Sequence, residues 1–291
     1  MTDDFAVFIL THGRADNVVT YETIKRLGYT GKIYLLIDNE DNQAEQYYKL
    51  YGDQVIMFDK KEQAGKCDIG DLSDNRKVIL FARNQCFEEA KKLGLKSFLE
   101  LDDDYVDFQR RYIENGKLMC ESIYNLDKAF EAMLDFLFST NSLTVAFCQG
   151  GDFIGGSKCK RLKEGLLRKA MNTFFCRADK EFRFVGRINE DVNTYTTLGI
   201  KGEKIFSPVK VMIVQKQTQK NKGGMTETYL DTGTYLKSFF SVMYAPSCVR
   251  LQMLGSNHKR IHHKVLWENC CPKIISEKYR KGEVSGQEKQ V

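Results

Sequence analysis

The sequence predicts an α/β fold built on a largely parallel sheet with helices on both faces. Three observations lead there. Short apolar runs alternate with stretches of helical periodicity through the first hundred residues, and each apolar run ends in polar or acidic residues. A chain of 291 residues with 42% hydrophobic and 12% aromatic content can also bury one large core.

The elements follow in order. Phe5 to Leu10 reads as a buried strand, and Val19, Ile24 and Leu27 mark a short helix that stops near Gly28. Lys32 to Ile37 is the next strand, closing at Asp38. A polar helix rich in Glu, Gln and Tyr runs to Leu50, and Gln54 to Phe58 forms a third strand. After a loop containing Gly65 and Gly70, the spacing predicts a helix over Arg76 to Leu93 with Gly94 as its stop. Lys96 to Leu101 is the fourth strand, and it delivers Asp102, Asp103 and Asp104.

Beyond Tyr105 the pattern changes. Val106 to Tyr112 and Leu118 to Ile123 flank a turn at Glu114 to Lys117 and predict a hairpin. Leu126, Ala129, Phe130, Met133, Leu134 and Leu137 form one face of a helix with Asn125 as cap. Leu143 to Phe147, Asn172 to Arg177, Phe182 to Val185 and Val209 to Val214 read as extended. Asn189 opens a helix, Gln215 to Thr228 is a polar loop, and Tyr229 to Tyr244 is a helix with aromatics.

Composition bounds the function classes. No run is apolar enough for a membrane helix, and the acidic start Thr2-Asp3-Asp4 is unlike a signal peptide, so a cytoplasmic protein is expected. Nine cysteines without a C-x-x-C pair indicate reduced thiols rather than a disulfide framework. Charge is uneven: residues 201 to 291 hold 16 Lys/Arg against 7 Asp/Glu, net +9, which leaves −4 for residues 1 to 200. A basic third of this kind suits a polyanion or a phosphate-bearing substrate, although a solvated lysine-rich surface has the same composition.

The acidic run carries the chemistry. In an extended chain Asp102 and Asp104 point the same way, about 7 Å apart, and two hard oxygen donors suit Mg²⁺ or Mn²⁺, although an isolated Asp-x-Asp is more often an acidic turn after a strand. In parallel sheets ligands sit beyond the carboxyl ends of the strands, where Thr11-His12-Gly13-Arg14, Asp38 and Asp102 to Asp104 all fall. No G-x-G-x-x-G and no P-loop is present. Gly150-Gly151 would let backbone approach a ligand or simply form a tight turn. Glu190 and Asp191 stand in a first helical turn, where capping explains them as well as chemistry does, and where the helix dipole is expected to keep Asp191 ionised. His262 and His263 are among the four histidines and could complete a mixed carboxylate and imidazole site.

The order of Asp102-Asp103-Asp104, Gly150-Gly151, Asn189-Glu190-Asp191 and a late histidine resembles the nucleotide-sugar glycosyltransferases of the GT-A fold, with its Rossmann-like mixed sheet. More closely, Phe8 to Arg14, Ala82-Arg83-Asn84, Gly233 to Phe239 and Arg260 to Trp267 are similar to the TET-associated glycosyltransferases, largely bacteriophage enzymes. This resemblance implies one merged catalytic domain, with residues 1–104 as its nucleotide-sugar half and 105–291 as its acceptor half. It implies that Asp102, Asp104 and His262 or His263 bind a divalent metal, and that Thr11, His12, Gly13, Arg14, Asp38 and Arg83 hold the uridine end of a UDP-sugar. Asp103 would contact the sugar or ribose, Gly150 and Gly151 would line the donor, and Asp191 would be the general base if the reaction inverts, with Glu190 orienting it or binding the sugar. The implied acceptor is the hydroxymethyl group of modified pyrimidines in phage DNA. A protein or glycan acceptor, or a non-catalytic nucleic-acid-binding module, are the competing expectations.

Overall fold

The computed structural model describes residues 2–215, 225–255 and 259–270, the side chains of 225–234 excepted. Its main sheet has eight strands in spatial order β3-β2-β1-β4-β9-β7-β10-β8. The strands are β1 (Phe5–Leu10), β2 (Lys32–Asp38), β3 (Val55–Phe58), β4 (Ser97–Asp102), β7 (Thr144–Val145), β8 (Leu166–Leu167), β9 (Phe174–Arg177) and β10 (Ile205–Pro208). Strands β1 to β4 are mutually parallel, whereas β9 runs antiparallel to β4, so the sheet is mixed. A second sheet orders β11 (Val211–Gln215), β5 (Tyr105–Glu114) and β6 (Lys117–Ser122), and β12 (Val249–Leu254) pairs with β13 (Arg260–Val265). The helices are α1 (Val19–Arg26), α2 (Ala44–Tyr51), α3 (Lys60–Ala64), α4 (Leu80–Lys92), α5 (Leu126–Ser139), α6 (Lys160–Glu164), α7 (Glu190–Ile200), α8 (Met225–Tyr244) and α9 (Trp267–Cys270).

Side-chain alternation along β1 builds two cores from one strand. Phe5, Val7 and Ile9 join the layer with Ile24 of α1, Tyr47 of α2 and Phe130 of α5. Ala6, Phe8 and Leu10 join the opposite layer with Phe81 and Phe87 of α4 and Val192 of α7. All six residues are buried, as a strand covered on both faces requires. The same alternation on β4 sends Leu99 and Leu101 to the first layer and Phe98 to the second.

Parallel register aligns Leu10 with both Leu36 and Asp102, so the three strand ends lie side by side. From β1 the chain passes to β2 and β3 on one side, then returns to β4 on the other. That reversal falls between the carboxyl ends of β1 and β4, the usual ligand position in such sheets. Residues after position 104 contribute β9, β7, β10 and β8 to the sheet, so the two halves share one sheet.

Several expectations shift. The helix expected from Arg76 begins at Leu80, because Asp71, Ser73 and Asn75 each accept a backbone N–H two residues on, a local pattern that competes with helix. Phe182 to Val185 is not a strand: the Asn84 amide takes both the N–H and the C=O of Phe184, replacing a ladder partner. Helix α3, strand β10 and the β12–β13 pairing went unread, although Asp59 capping Glu62 N–H at 2.8 Å is a signal the sequence carries. The β5–β6 hairpin stands as expected, its turn residues Asn115 and Gly116 at φ 48° and 73°, the conformation that Asn-Gly supplies. Residues 216–224 of the polar loop, and His258, lie outside the described residues. No disulfide joins the described cysteines. Among the described residues no helix is long and apolar enough to cross a membrane.

Candidate active site

The acidic turn after β4 is fastened from below by α1. The Thr20 hydroxyl donates to Asp102 O at 2.6 Å and accepts Tyr105 N–H at 2.9 Å, while Thr20 N–H donates to Asp103 O at 3.1 Å. Thr20 is fully buried. The turn is therefore held by its backbone, and its carboxylates are presented in fixed directions.

Alternation then sorts those carboxylates. Glu100 and Asp102 face the α4 layer, where they meet Arg83. Its Nη2 donates to Asp102 Oδ1 at 3.0 Å, its Nε donates to Glu190 Oε1 at 3.0 Å, and its Nη1 lies 3.7 Å from Glu100 Oε2. Arg83 is 1% exposed and stacks on Phe174 at 4.9 Å. Its expected contact with uridine is therefore corrected: a guanidinium with no open face and three carboxylate neighbours braces the site from inside.

Asp103 points to the other layer. Thr11 Oγ1 donates to its Oδ2 at 2.8 Å and Arg14 Nη1 to its Oδ1 at 2.7 Å. With both oxygens engaged and only 6% exposure, Asp103 anchors the Thr11–Arg14 loop, not the sugar or ribose expected for it. Tyr47 reinforces that loop, its hydroxyl bonding Thr11 Oγ1 at 2.8 Å and accepting Arg14 N–H at 2.9 Å. Gly13 adopts φ 67° and donates its N–H to Asp41 Oδ2 at 2.7 Å. Asp38 is likewise buried. Its Oδ2 meets His12 Nδ1 at 2.8 Å and Lys60 Nζ at 3.1 Å. Burial raises its pKa, but the His12 ring and the Lys60 ammonium outweigh that and hold it below the usual range. His12, with its side chain 45% exposed, is the member of this pair that reaches open space.

Helix α7 brings Glu190 and the buried Asp191 to the end of β4. Asn189 caps it in a left-handed conformation, φ 53°, and donates to Lys237 O at 2.6 Å and Ser241 Oγ at 3.2 Å, tying α7 to α8. Asp191 Oδ1 accepts Val192 N–H at 2.7 Å, so part of the capping explanation holds. Its acidity differs from expectation: burial, and then the neighbouring Glu190, push Asp191 up to about 7, overriding the helix dipole. Asp102 is also pushed up to about 7, by burial first, with Arg83 offsetting and Asp104, Glu190 and Asp103 adding to the rise.

His263 lies against this region, its Nδ1 3.5 Å from Asn189 Nδ2, and burial followed by His262 and Lys237 lowers its pKa to about 4. His262 directs Nδ1 at the His263 carbonyl at 2.6 Å. Among the described residues no three His, Cys, Asp or Glu side chains gather as a metal site, so neither histidine joins Asp102 and Asp104 here. Gly150 and Gly151 begin a single 3-10 turn, and Gly150 lies near Met212 of β11. Sequence reasoning missed Thr20, Tyr47, Asp41, Lys60 and Glu100; Glu100 alone stood in plain view as a charge inside an apolar strand.

The oxygen-only donor set fits a hard divalent cation. Asp104, Glu190 and Asp103 each raise the proton affinity of Asp102, and Arg83 and Arg14 are the cations set against Asp102 and Asp103. That surplus of negative charge is what a cation would relieve.

The family model for TET-associated glycosyltransferases matches residues 5–224. The chain belongs to this family. It is accordingly an enzyme of sugar transfer. No curated protein matches it. Among solved structures it is similar to S. aureus TarS, with 11% identity and a TM-score of 0.42 over 72% of this chain and 36% of that one. It therefore spans about a third of the length of TarS. It is also similar to glucosyl-3-phosphoglycerate synthase from Mycobacterium tuberculosis in complex with Mn²⁺ and UDP-glucose, with 9% identity, 90% and 87% coverage and a TM-score of 0.46.

Because Arg83 braces this glycosyltransferase from inside, Arg83→Met should lower unfolding free energy by about 3–5 kcal/mol, the usual result of stranding buried charges. Urea unfolding measures this. Unchanged stability together with weakened donor affinity would return Arg83 to the uridine site.

Proposed function

We propose that this glycosyltransferase moves a sugar from a UDP-sugar to the hydroxymethyl group of 5-hydroxymethylcytosine in phage DNA. The observation that supports the reading is that the carboxylates at the end of β4, Asp102 with Asp104 beside it, meet those at the start of α7, Glu190 and Asp191, with Arg83 bonded to Asp102 and Glu190.

Asp102 and Asp104 would hold Mn²⁺ or Mg²⁺, with water and donor phosphates filling the remaining positions. Such a cation stabilises the negative charge that grows on the departing diphosphate. The Thr11–Arg14 loop, fixed by Tyr47, Asp41 and Asp103, would receive the uridine end, with the exposed His12 ring at its surface. Glu190, held by Arg83, raises the proton affinity of Asp191, which would stand beside the reacting centre. In the inverting route the acceptor oxygen bonds to the anomeric carbon as the bond to the donor phosphate breaks, and Asp191 takes the hydroxyl proton. A base with a pKa near neutrality suits this, since it is substantially ionised in the cell yet still attracts a proton. The net +9 of residues 201 to 291 supports a polyanionic acceptor.

Only ionised Asp191 can accept a proton. Transfer should therefore rise with pH through about 7 and level off above it. Asp191→Asn should keep donor affinity and lose a factor of about a hundred or more in rate, together with the acidic limb. A variant that keeps its rate but melts earlier would leave Asp191 a helix cap.

The acceptor is tested by nucleoside mass analysis after incubation with nucleotide sugars, Mn²⁺ and matched duplexes with or without 5-hydroxymethylcytosine. The added sugar mass should appear only on the modified duplex, and chelation by EDTA should abolish it. Transfer to a protein or glycan, with none to the modified duplex, would contradict the proposal.

A further inference from the structure

The β12–β13 hairpin has a composition that its own packing does not explain. From Thr232 to Trp267 the sequence holds five Lys/Arg and three His, and no Asp or Glu. Arg250 pairs directly with Lys264, Gln252 with His262, and Leu254 with Arg260. Alternation places these six residues on one face. The opposite face is covered in part: Val249 is buried and His263 meets Asn189, while Leu251 and Met253 are exposed. Arg250, Lys259, Arg260 and Lys264 are all exposed, and none has a carboxylate partner among the described residues. Like charges directly opposite one another destabilise an antiparallel pair, so the Arg250–Lys264 pairing costs stability unless an anion lies over it.

The spacing says what kind of anion. Arg260 and Lys264 are four residues apart on one strand, about 13 Å. A diphosphate carries two adjacent phosphates and would cover one end of the face. A nucleic-acid strand offers a phosphate about every 3.4 Å along its axis and would span all of it. The face also adjoins the chemistry, because Arg260 acts electrostatically on Lys237, as Asp191 does. On α8, which packs against β13, Tyr235 and Phe239 are exposed and stacked with ring centroids 5.9 Å apart, a surface suited to bases.

We infer that the outward face of the β12–β13 hairpin, Arg250, Arg260 and Lys264 with Lys259 at its edge, grips the sugar-phosphate backbone of the acceptor DNA and sets the target base beside Asp191. This rests on the DNA reading of the function and adds the surface that carries it. Phosphate contacts of this kind give affinity without sequence preference.

The test measures anisotropy of a labelled duplex against salt for the wild type and for the triple variant Arg250→Gln/Arg260→Gln/Lys264→Gln. Donor hydrolysis and melting temperature are followed in parallel. The triple variant should bind at least tenfold more weakly, with the slope of log affinity against log salt shallower by about 2 to 3. Its donor hydrolysis should be unchanged and its melting temperature equal or higher. A control, Lys49→Gln/Lys61→Gln/Lys128→Gln, removes three exposed lysines elsewhere and should leave the slope unaltered. A wild type that binds DNA with the same slope as the triple variant would overturn this face while leaving the DNA reading intact. A wild type that binds no duplex and modifies none would overturn both.

Discussion

One buried guanidinium sets the terms for the site. Arg83 has no exposed face, yet it touches carboxylates from two distant parts of the chain, Asp102 at the end of β4 and Glu190 at the start of α7, with Glu100 close behind. Its Nη1 and both Glu100 oxygens lack a hydrogen-bond partner, so the arrangement is not ideal for stability alone. A lysine could not replace it, because a point charge cannot offer separate N–H groups in the fixed directions of a planar fork. The end of β4 and the start of α7 thereby become one electrostatic unit.

That unit explains the acidity of the residues around it. Burial alone would neutralise the carboxylates, and one arginine is too little to keep all of them charged. Asp102 and Asp191 are consequently both pushed up to about 7, Asp102 against three neighbouring carboxylates with Arg83 offsetting, Asp191 against Glu190. The two carboxylates look alike in sequence. Their neighbours separate them.

The first four strands, the hairpin at Asn115-Gly116 and the helix capped by Asn125 were legible in the sequence, because periodicity, turn chemistry and caps are local signals. The position of the acidic turn was legible too, since the apolar run of β4 ends abruptly in three carboxylates. What could not be read was which carboxylates are already spent. That Asp103 is consumed by Thr11 and Arg14, and that Arg83 is sealed under Phe174, depends on which face of the sheet each residue meets after folding. The helix dipole at Asp191 was a correct local argument overruled by burial, a property of the tertiary structure. The cross-strand pairing of Arg250 with Lys264 required a register that no periodicity supplies.

The central claim is that the acidic turn braced by Arg83 is the cation-dependent donor site. The most direct measurement is an anomalous difference map from crystals grown with Mn²⁺ and UDP. The account predicts a single strong peak at bonding distance from the carboxylates of Asp102 and Asp104, bridging them to the diphosphate, with the uracil at the Thr11–Arg14 loop. UDP bound at that turn without a metal peak there, or a peak held by other residues, would contradict it.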